Sequence, residues 1–186
     1  MELMREFEED IKRYRDADNI EIELRLGKRN HGKFDTDVGP HLFTKILTGL
    51  ERYTGWESVT HKVDEVYYWN TGIRCMYSED SCETQRKQKI LVKDHSLGVL
   101  DVRLGISQEI PTEMPSDDAN RCVQRQRKSF LRKNVRIDCT IVTGAPVDKD
   151  SENLTTYQVE LEIISAKTDQ EIFSALHKVY DILALT

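Results

Sequence analysis

Two strand-like segments carry paired glutamates at alternate positions. In IEIELRLGK, Glu21 and Glu23 alternate with aliphatic residues, and YQVELEII repeats the pattern with Glu160 and Glu162. Glutamate is a poor strand former, so two of them on one face need an explanation. Carboxylates at positions i and i+2 lie about 6.5–7 Å apart along a strand, so both can reach one cation. Their oxygens suit a hard divalent ion and leave positions for water and phosphate oxygens.

Basic side chains follow the same alternation in other segments. Lys87, Lys89 and Lys93 share one parity in TQRKQKILVKD, and Arg125 and Arg127 share one in RCVQRQRKSFL. Arginine binds phosphate oxygens by bidentate hydrogen bonds, and lysine supplies a compact charge. A carboxylate-bound metal that faces cationic side chains can catalyse phosphoryl transfer to water. Each segment alone is more typical of a solvated strand face, and only their joint occurrence favours a site.

The elements that must position these residues are mostly strands. About eight alternating segments, spaced like hairpins, predict a mainly β (α+β) fold, namely an eight-stranded antiparallel β-barrel tunnel with a few flanking helices. Turns are predicted at residues 70–72, 96–98 and 143–146, and polar loops at 110–120 and 146–155. Helices are predicted over residues 2–16, behind Pro40, and after a capping box that runs from Thr168 to Glu171.

In a barrel, one strand parity faces outward and the other lines the interior. The charged parity of this sequence alternates acids with bases and cannot form a packed core, so it predicts a wet tunnel that binds a ligand. The residues assigned to its lining are Glu21, Glu23, Asp64, Arg74, Lys87, Lys89, Arg103, Arg125, Arg127, Asp138, Glu160 and Glu162.

Length and composition bound the class of protein. A chain of 186 residues is one domain, residues 1–186, and no segment approaches the roughly 18 apolar residues of a membrane span. Its acidic start differs from a secretory signal, so we expect an intracellular protein that is not secreted. The net charge of −6 makes a broad polyanion-binding surface improbable, so phosphate recognition must be local. Five scattered histidines and four cysteines without metal-like spacing disfavour a zinc or His-based site.

One segment resembles a phosphate-binding loop and is rejected. GKRNHGKF, residues 27–34, nearly fits the G-x-x-x-x-G-K-[ST] spacing, but Phe34 stands where Ser or Thr is required. The segment also follows a charged alternating strand and not a buried apolar one. We therefore interpret it as a glycine-bearing loop.

The ordered motifs from about residue 20 to 164 resemble the metal-dependent RNA 5′-triphosphatases of the triphosphate tunnel metalloenzyme superfamily, found in fungi, protozoa and large DNA viruses. The matching segments are IEIELRLGK, VDEVYY, GIR, KQKI, LDVRLGISQE, RQRKSF, VRID and YQVELEI. The size is similar to the minimal viral form. Gln158 stands where the family commonly has the first glutamate of its last strand, and Arg125 replaces a usual lysine.

The resemblance implies a role for each matched residue. Metal ligands for Mn²⁺ or Mg²⁺ would be Glu21, Glu23 and Glu162. Phosphate ligands would be Arg74, Arg125, Arg127 and a tunnel lysine that is either Lys87 or Lys89. Glu109 and Glu160 would orient the attacking water, and Asp64, Arg136 and Asp138 would hold side chains across the tunnel.

The function that follows is removal of the γ-phosphate from triphosphate-ended RNA, the first step of mRNA capping, with NTPs as side substrates. The implied partners are the 5′-triphosphate RNA end and a capping guanylyltransferase, with no membrane, and the chain would be a monomer or homodimer at the site of transcription, in the nucleus or a viral factory. One alternative is a tunnel enzyme for inorganic triphosphate or nucleotides, a branch that usually has lysine where Arg25 stands. Another is a barrel that binds a ligand without turnover.

Overall fold

The computed structural model describes residues 2–79, 81–144 and 154–186. Most of the loop predicted at 146–155 and part of the turn predicted at 143–146 lie outside this range. The elements, in chain order, are α1 (Glu2–Tyr14), β1 (Ile20–Asn30), β2 (Lys33–Asp35), α2 (Gly39–Arg52), β3 (Ser58–Tyr68), β4 (Ile73–Ser78), β5 (Ser81–Ser96), β6 (Asp101–Pro111), β7 (Arg121–Arg132), β8 (Val135–Gly144), β9 (Leu154–Ile163) and α3 (Asp169–Leu183).

The sheet closes into an eight-stranded antiparallel barrel, as the sequence predicted. Its strand order is β1-β6-β5-β4-β3-β7-β8-β9, and β9 pairs with β1 to complete the circle. Every neighbouring pair in the described sheet is antiparallel. Closure removes the free sheet edge along most of the wall and leaves one face of each strand inside.

A ninth strand, β2, corrects the interpretation of residues 27–34 as a loop. β1 continues to Asn30 and forms a hairpin with β2, in which Arg29 lies opposite Phe34. The two linking residues, His31 and Gly32, both have positive φ angles, 47° and 79°. Two-residue hairpins favour such turns because their twist matches that of the strands.

The hydrophobic core lies outside the barrel, between its wall and the three helices. Leu24, Leu104 and Leu161 on the outer faces of β1, β6 and β9 are fully buried. They pack with the apolar faces of the helices, which include Phe7 of α1 and Leu176 of α3. The aliphatic parity of β1, β6, β8 and β9 therefore packs against the helices, and the charged parity of these strands faces the interior.

A β-bulge in β5 overturns the single parity predicted for its lysines. Lys89 pairs with Ser107, but Leu91 pairs with Ile106, so the register shifts between Lys89 and Leu91. The extra residue reverses which side chains face inward. Lys93 therefore lies outside, where its Nζ contacts α1 at Glu6 and Asp10, and only Lys87 and Lys89 stay on the tunnel side.

The predicted helices are confirmed, with small changes in their limits. α1 ends at Tyr14, and α3 begins after Thr168, whose hydroxyl accepts a hydrogen bond from the Glu171 amide while the Glu171 carboxylate accepts one from Thr168. This reciprocal cap satisfies two amides at the helix start. No helix in the described part of the chain is long and apolar enough to cross a membrane.

Candidate active site

The inward faces of the strands enclose a cavity of about 720 Å³. Apart from Lys89 and Arg103, each residue predicted to line the tunnel or to act in it lines this cavity. They are Glu21, Glu23, Asp64, Arg74, Lys87, Glu109, Arg125, Arg127, Arg136, Asp138, Glu160 and Glu162. Lys89 and Arg103 line an adjoining cavity of about 520 Å³, which shares Glu23, Arg74 and Lys87 with the first, and Arg103 pairs with Asp94. The closed barrel thus brings together residues that the chain separates by more than 140 positions.

The paired glutamates of β1 lie beside those of β9. Glu23 is the ladder partner of Glu162, and Glu160 faces Arg25 in the same pairing. On its other side Glu23 lies opposite Gly105 of β6. A Cβ atom at that position would come within 3.0 Å of the Glu23 Oε1 atom. Gly105 therefore leaves the space that the Glu23 carboxylate occupies.

Lys87 is the cation nearest to these acids. Its ammonium donates a hydrogen bond to Glu21, and its Nζ atom lies 3.5 Å from the Glu23 Oε2 atom and 3.4 Å from the Glu109 Oε1 atom. Burial lowers the pKa of Lys87, but the negative charges of Glu23 and Glu21 raise it by a larger amount. The pKa of Lys87 therefore lies above its ordinary value. Burial raises the pKa of Glu21, but the charge of Lys87 and its hydrogen bond lower it. The pKa of Glu21 therefore lies below its ordinary value.

Two of the predicted metal ligands retain a raised pKa. Burial raises the pKa of Glu162 to about 7; the charge of Arg136 opposes this shift, and the charges of Glu21, Asp138 and Glu109 add to it. Burial also raises the pKa of Glu23 against the charge of Arg25. The tunnel cations therefore neutralise this group of carboxylates incompletely.

The same residues fit Mg²⁺ or Mn²⁺ by donor chemistry. Within the described residues no three His, Cys, Asp or Glu side chains converge as a preformed metal site. Glu21 and Glu23 instead contact Lys87, and Glu162 accepts a hydrogen bond from Arg136. Their oxygens are the ligands that these ions prefer, and the register sets Glu23 beside Glu162. Glu21, Glu23 and Glu162 could hold a divalent ion if their side chains turned from the two cations.

The remaining cations are held in place by carboxylates. Arg125 donates two hydrogen bonds to buried Asp64, at 2.8 and 2.7 Å. Arg127 lies 3.3 Å from the Asp138 carboxylate and also donates to the Thr140 hydroxyl at 3.2 Å. A bidentate pair fixes the guanidinium plane, so its outer N–H groups have a defined direction.

Arg74 and Glu109 form a second fixed pair. The Arg74 Nη2 atom donates to the Glu109 Oε1 atom at 2.6 Å, and Gln85 donates to the other oxygen at 2.9 Å. Among the described residues, the buried Nε atom of Arg74 and the buried Oδ1 atom of Asp138 have no hydrogen-bond partner. Buried polar atoms are normally satisfied, so these two atoms are suited to contact a ligand or water.

Sequence reasoning missed Arg25 and Gln85 as parts of the site. The Arg25 Nε atom lies 2.8 Å from the Glu160 Oε1 atom, and its Nη2 atom lies 3.1 Å from Glu23. Parity could have identified both, because Arg25 continues the Glu21–Glu23 alternation and Gln85 precedes Lys87 by two residues.

Comparisons with known proteins agree with this geometry. The family model of the mRNA capping enzyme, beta chain, matches residues 60–179. The structure of the Pct1 RNA triphosphatase of S. pombe aligns with a TM-score of 0.83 at 14% identity, covering 98% of this chain and 92% of that one. The RNA triphosphatase domain of a trifunctional mimivirus mRNA capping enzyme aligns with a TM-score of 0.72 at 18% identity, covering 97% and 94%.

A further structure of Pct1, in complex with the Spt5 CTD, aligns with a TM-score of 0.79 at 15% identity, covering 97% of this chain and 90% of that chain. At these identities the structural matches show that the fold is shared. No curated protein sequence matches the chain.

Proposed function

We propose that this chain, which belongs to the mRNA capping enzyme beta-chain family, is a metal-dependent RNA 5′-triphosphatase. It would hydrolyse the γ-phosphate of triphosphate-ended RNA and leave a diphosphate end for capping. The observation that carries the proposal is the convergence of the predicted acids and bases on one tunnel cavity. The acids of this tunnel suit a divalent ion, and its bases suit the oxygens of a triphosphate.

The acids would divide into two groups by role. Glu21, Glu23 and Glu162 would hold Mn²⁺ or Mg²⁺, which as a Lewis acid withdraws charge from a phosphate oxygen. Glu109 and Glu160 would accept hydrogen bonds from the attacking water. Both are already oriented, Glu109 by Arg74 and Glu160 by Arg25. An oriented carboxylate supplies a base at a defined position without further reorganisation.

The bases would hold the phosphate. Arg74, Arg125 and Arg127 would donate to its oxygens as negative charge moves to the leaving group. Asp64, Arg136 and Asp138 would act by holding neighbouring side chains, because Asp64 fixes Arg125 and Asp138 contacts both Arg127 and Arg136.

The contacts favour Lys87 over Lys89 as the lysine nearest the transferred phosphate. Lys87 lies among Glu21, Glu23 and Glu109, whereas Lys89 lines the adjoining cavity, beyond the bulk of the acids. On ion binding Lys87 would leave the glutamates and become free to contact phosphate. Exchanging Lys87 for alanine should therefore cost more activity than exchanging Lys89.

The same proposal covers the type of enzyme, its side activity, its partner and its oligomeric state. The motifs occur in the order found in the form of large DNA viruses, and NTP hydrolysis in manganese would be a side activity. A capping guanylyltransferase would act on the product, at the site of transcription. The chain would work as a monomer or homodimer.

The test is release of labelled phosphate from RNA with a γ-³²P triphosphate end, with magnesium, with manganese and with chelator. Glu162→Ala protein runs beside the parent, and Glu65→Ala, on the outer face of β3, serves as a matched control. Binding of Mn²⁺, followed by electron paramagnetic resonance, gives a reading independent of turnover. We expect metal-dependent release and Mn²⁺ binding, both lost in Glu162→Ala and kept in Glu65→Ala.

Two other results of this assay would favour the alternative functions. Faster release from tripolyphosphate or ATP than from RNA would favour the inorganic triphosphate and nucleotide branch. No release in any metal would leave a ligand-binding barrel as the better interpretation of the same tunnel.

A further inference from the structure

We infer that Tyr68 and Arg121 form a subsite for the first nucleoside of the substrate, at one end of the tunnel. The inference rests on the proposed function and extends it, because it names which part of the substrate lies where. The tunnel wall changes along β3, from the charged Asp64 to the apolar Val66 that precedes Tyr68 on the same face.

The apolar part of the wall is built by four adjacent strands. Along the inward face of β3 the residues are Asp64, Val66 and Tyr68, so the charge ends after Asp64. Tyr68 packs against a buried cluster that is separate from the main core. The cluster members, from β3, β4, β7 and β8, are Val66, Met76, Val123 and Val142.

Tyr68 lies at the boundary between this cluster and the phosphate-binding residues. It is the ladder partner of Arg74 on β4 and of Arg121 on β7. The Arg121 guanidinium carbon lies 6.0 Å from the centre of the Tyr68 ring. The ring is only partly buried and lines both the 720 Å³ cavity and the adjoining one. The cluster supports the ring from one side, and the cavities leave part of it accessible.

Triphosphate-ended RNA likewise has a charged part and a less polar part. Its triphosphate needs cations and metal, whereas its ribose and base need an apolar, flat surface with few charges. A ring held beside Arg74 is placed where the nucleoside follows the phosphates, and Arg121 can stack on the base or contact the adjoining phosphate. Every base has an aromatic face, so such a platform binds nucleosides with little sequence preference.

The experiment compares substrates that have and lack a nucleoside. Triphosphate-ended RNA, ATP and inorganic tripolyphosphate are assayed for hydrolysis and for binding by calorimetry, with Tyr68→Ala, Tyr68→Phe and Arg121→Ala proteins. Tyr67→Ala is the matched control, because Tyr67 is the same residue type on the same strand but packs on the outer face against Tyr77. Thermal unfolding of each variant checks that the barrel is intact.

We expect Tyr68→Ala to lose about tenfold in kcat/KM and affinity for RNA ends and ATP, the usual size of one base-stacking contact. Tripolyphosphate should change less than about twofold, and Tyr68→Phe should keep most of the parent activity. Arg121→Ala should show a smaller loss of the same selectivity.

Equal losses with all three ligands would overturn the subsite, since Tyr68 would then act only on the tunnel structure. No loss with any ligand would overturn it as well. Failure of the proposed function gives a different result, because the parent protein itself would then neither bind nor hydrolyse the three ligands.

Discussion

On β1 both faces of the strand are hidden from solvent, but they hold different kinds of residue. On β1, Leu24 is fully buried and Glu23 is 9% exposed, although they are neighbours. Leu24 packs with the helices, and Glu23 contacts Lys87 and Arg25. Burial of apolar surface stabilises the fold, whereas burial of a paired charge adds little or costs free energy. The apolar outer face therefore stabilises the fold and offsets the free-energy cost of burying charges on the inner face.

The buried pair of Asp64 and Arg125 should give the largest effect on this comparison. Asp64→Ala leaves the guanidinium uncompensated and should lower the free energy of unfolding by about 3–5 kcal/mol. The double variant Asp64→Leu, Arg125→Met has no charge left to compensate and should recover most of that loss. Urea unfolding at neutral pH measures both. If the double variant were as unstable as the single one, the ion pair itself would stabilise the fold, and the inner face would not be a net cost.

Removing one tunnel acid should affect rate more than stability. Glu162→Gln keeps the size of the side chain, and loss of its charge should lower kcat by about 10²–10³-fold, as for other groups that stabilise a transition state electrostatically. Arg136 keeps Asp138 as a partner, so the unfolding midpoint should move little. A steady-state assay and urea unfolding of the same protein test this, and unchanged activity would remove Glu162 from the site.

Two adjacent residues of β6 allow the outer and inner faces to be compared by substitutions with smaller expected effects. Ile106 is fully buried in the outer core, and the next residue, Ser107, donates a hydrogen bond to Glu21 at 3.2 Å in the tunnel. Ile106→Val should lower the free energy of unfolding by about 1 kcal/mol and leave kcat/KM unchanged. Ser107→Ala should lower kcat/KM a few-fold with a smaller change in stability. The opposite pattern would contradict the separation of the two faces.

The smallest effect should come from Asp94 and Arg103, a bidentate pair like Asp64 and Arg125 but more exposed. Hydrogen bonds from Arg103 lower the pKa of Asp94, opposed by burial. The folded pKa is below the unfolded value, so this stabilisation is full above the unfolded pKa and is lost as the pH falls through the folded one. Asp94→Asn should cost up to about 1 kcal/mol at pH 7 and less at pH 3.5. Urea titrations at both pH values, parent against variant, test this, and an equal difference would contradict it.

Much of the site was predictable because strand parity is a local property. Glu21 and Glu23 must face the same way in any strand, and so must Arg125 and Arg127. Charge on one parity and aliphatic residues on the other therefore predicted both a barrel with helices outside and a polar interior. The motifs in order predicted the family, which the family model confirms.

Parity failed where the strand was irregular. Lys93 was grouped with Lys87 and Lys89, but the bulge between Lys89 and Leu91 reverses the alternation, and Lys93 contacts α1. A bulge depends on how β5 must bend to follow β6 around the barrel, which the residues of β5 alone do not specify. The hairpin of β1 and β2 was missed for a related reason, since its turn uses His31 and Gly32, which is not one of the common turn pairs.

The sequence by itself determined which residues share a strand face, the kind of ion and ligand they suit, and the amphipathic helices that cover the barrel. Only the tertiary structure decided which faces meet. The pairing of β1 with β9 sets Glu23 beside Glu162, and closure brings Lys87 to Glu21 and Arg136 to Glu162. The physical reason is that side-chain alternation is fixed by local backbone geometry, whereas register between distant strands is fixed by closure of the barrel and by packing of its outer face.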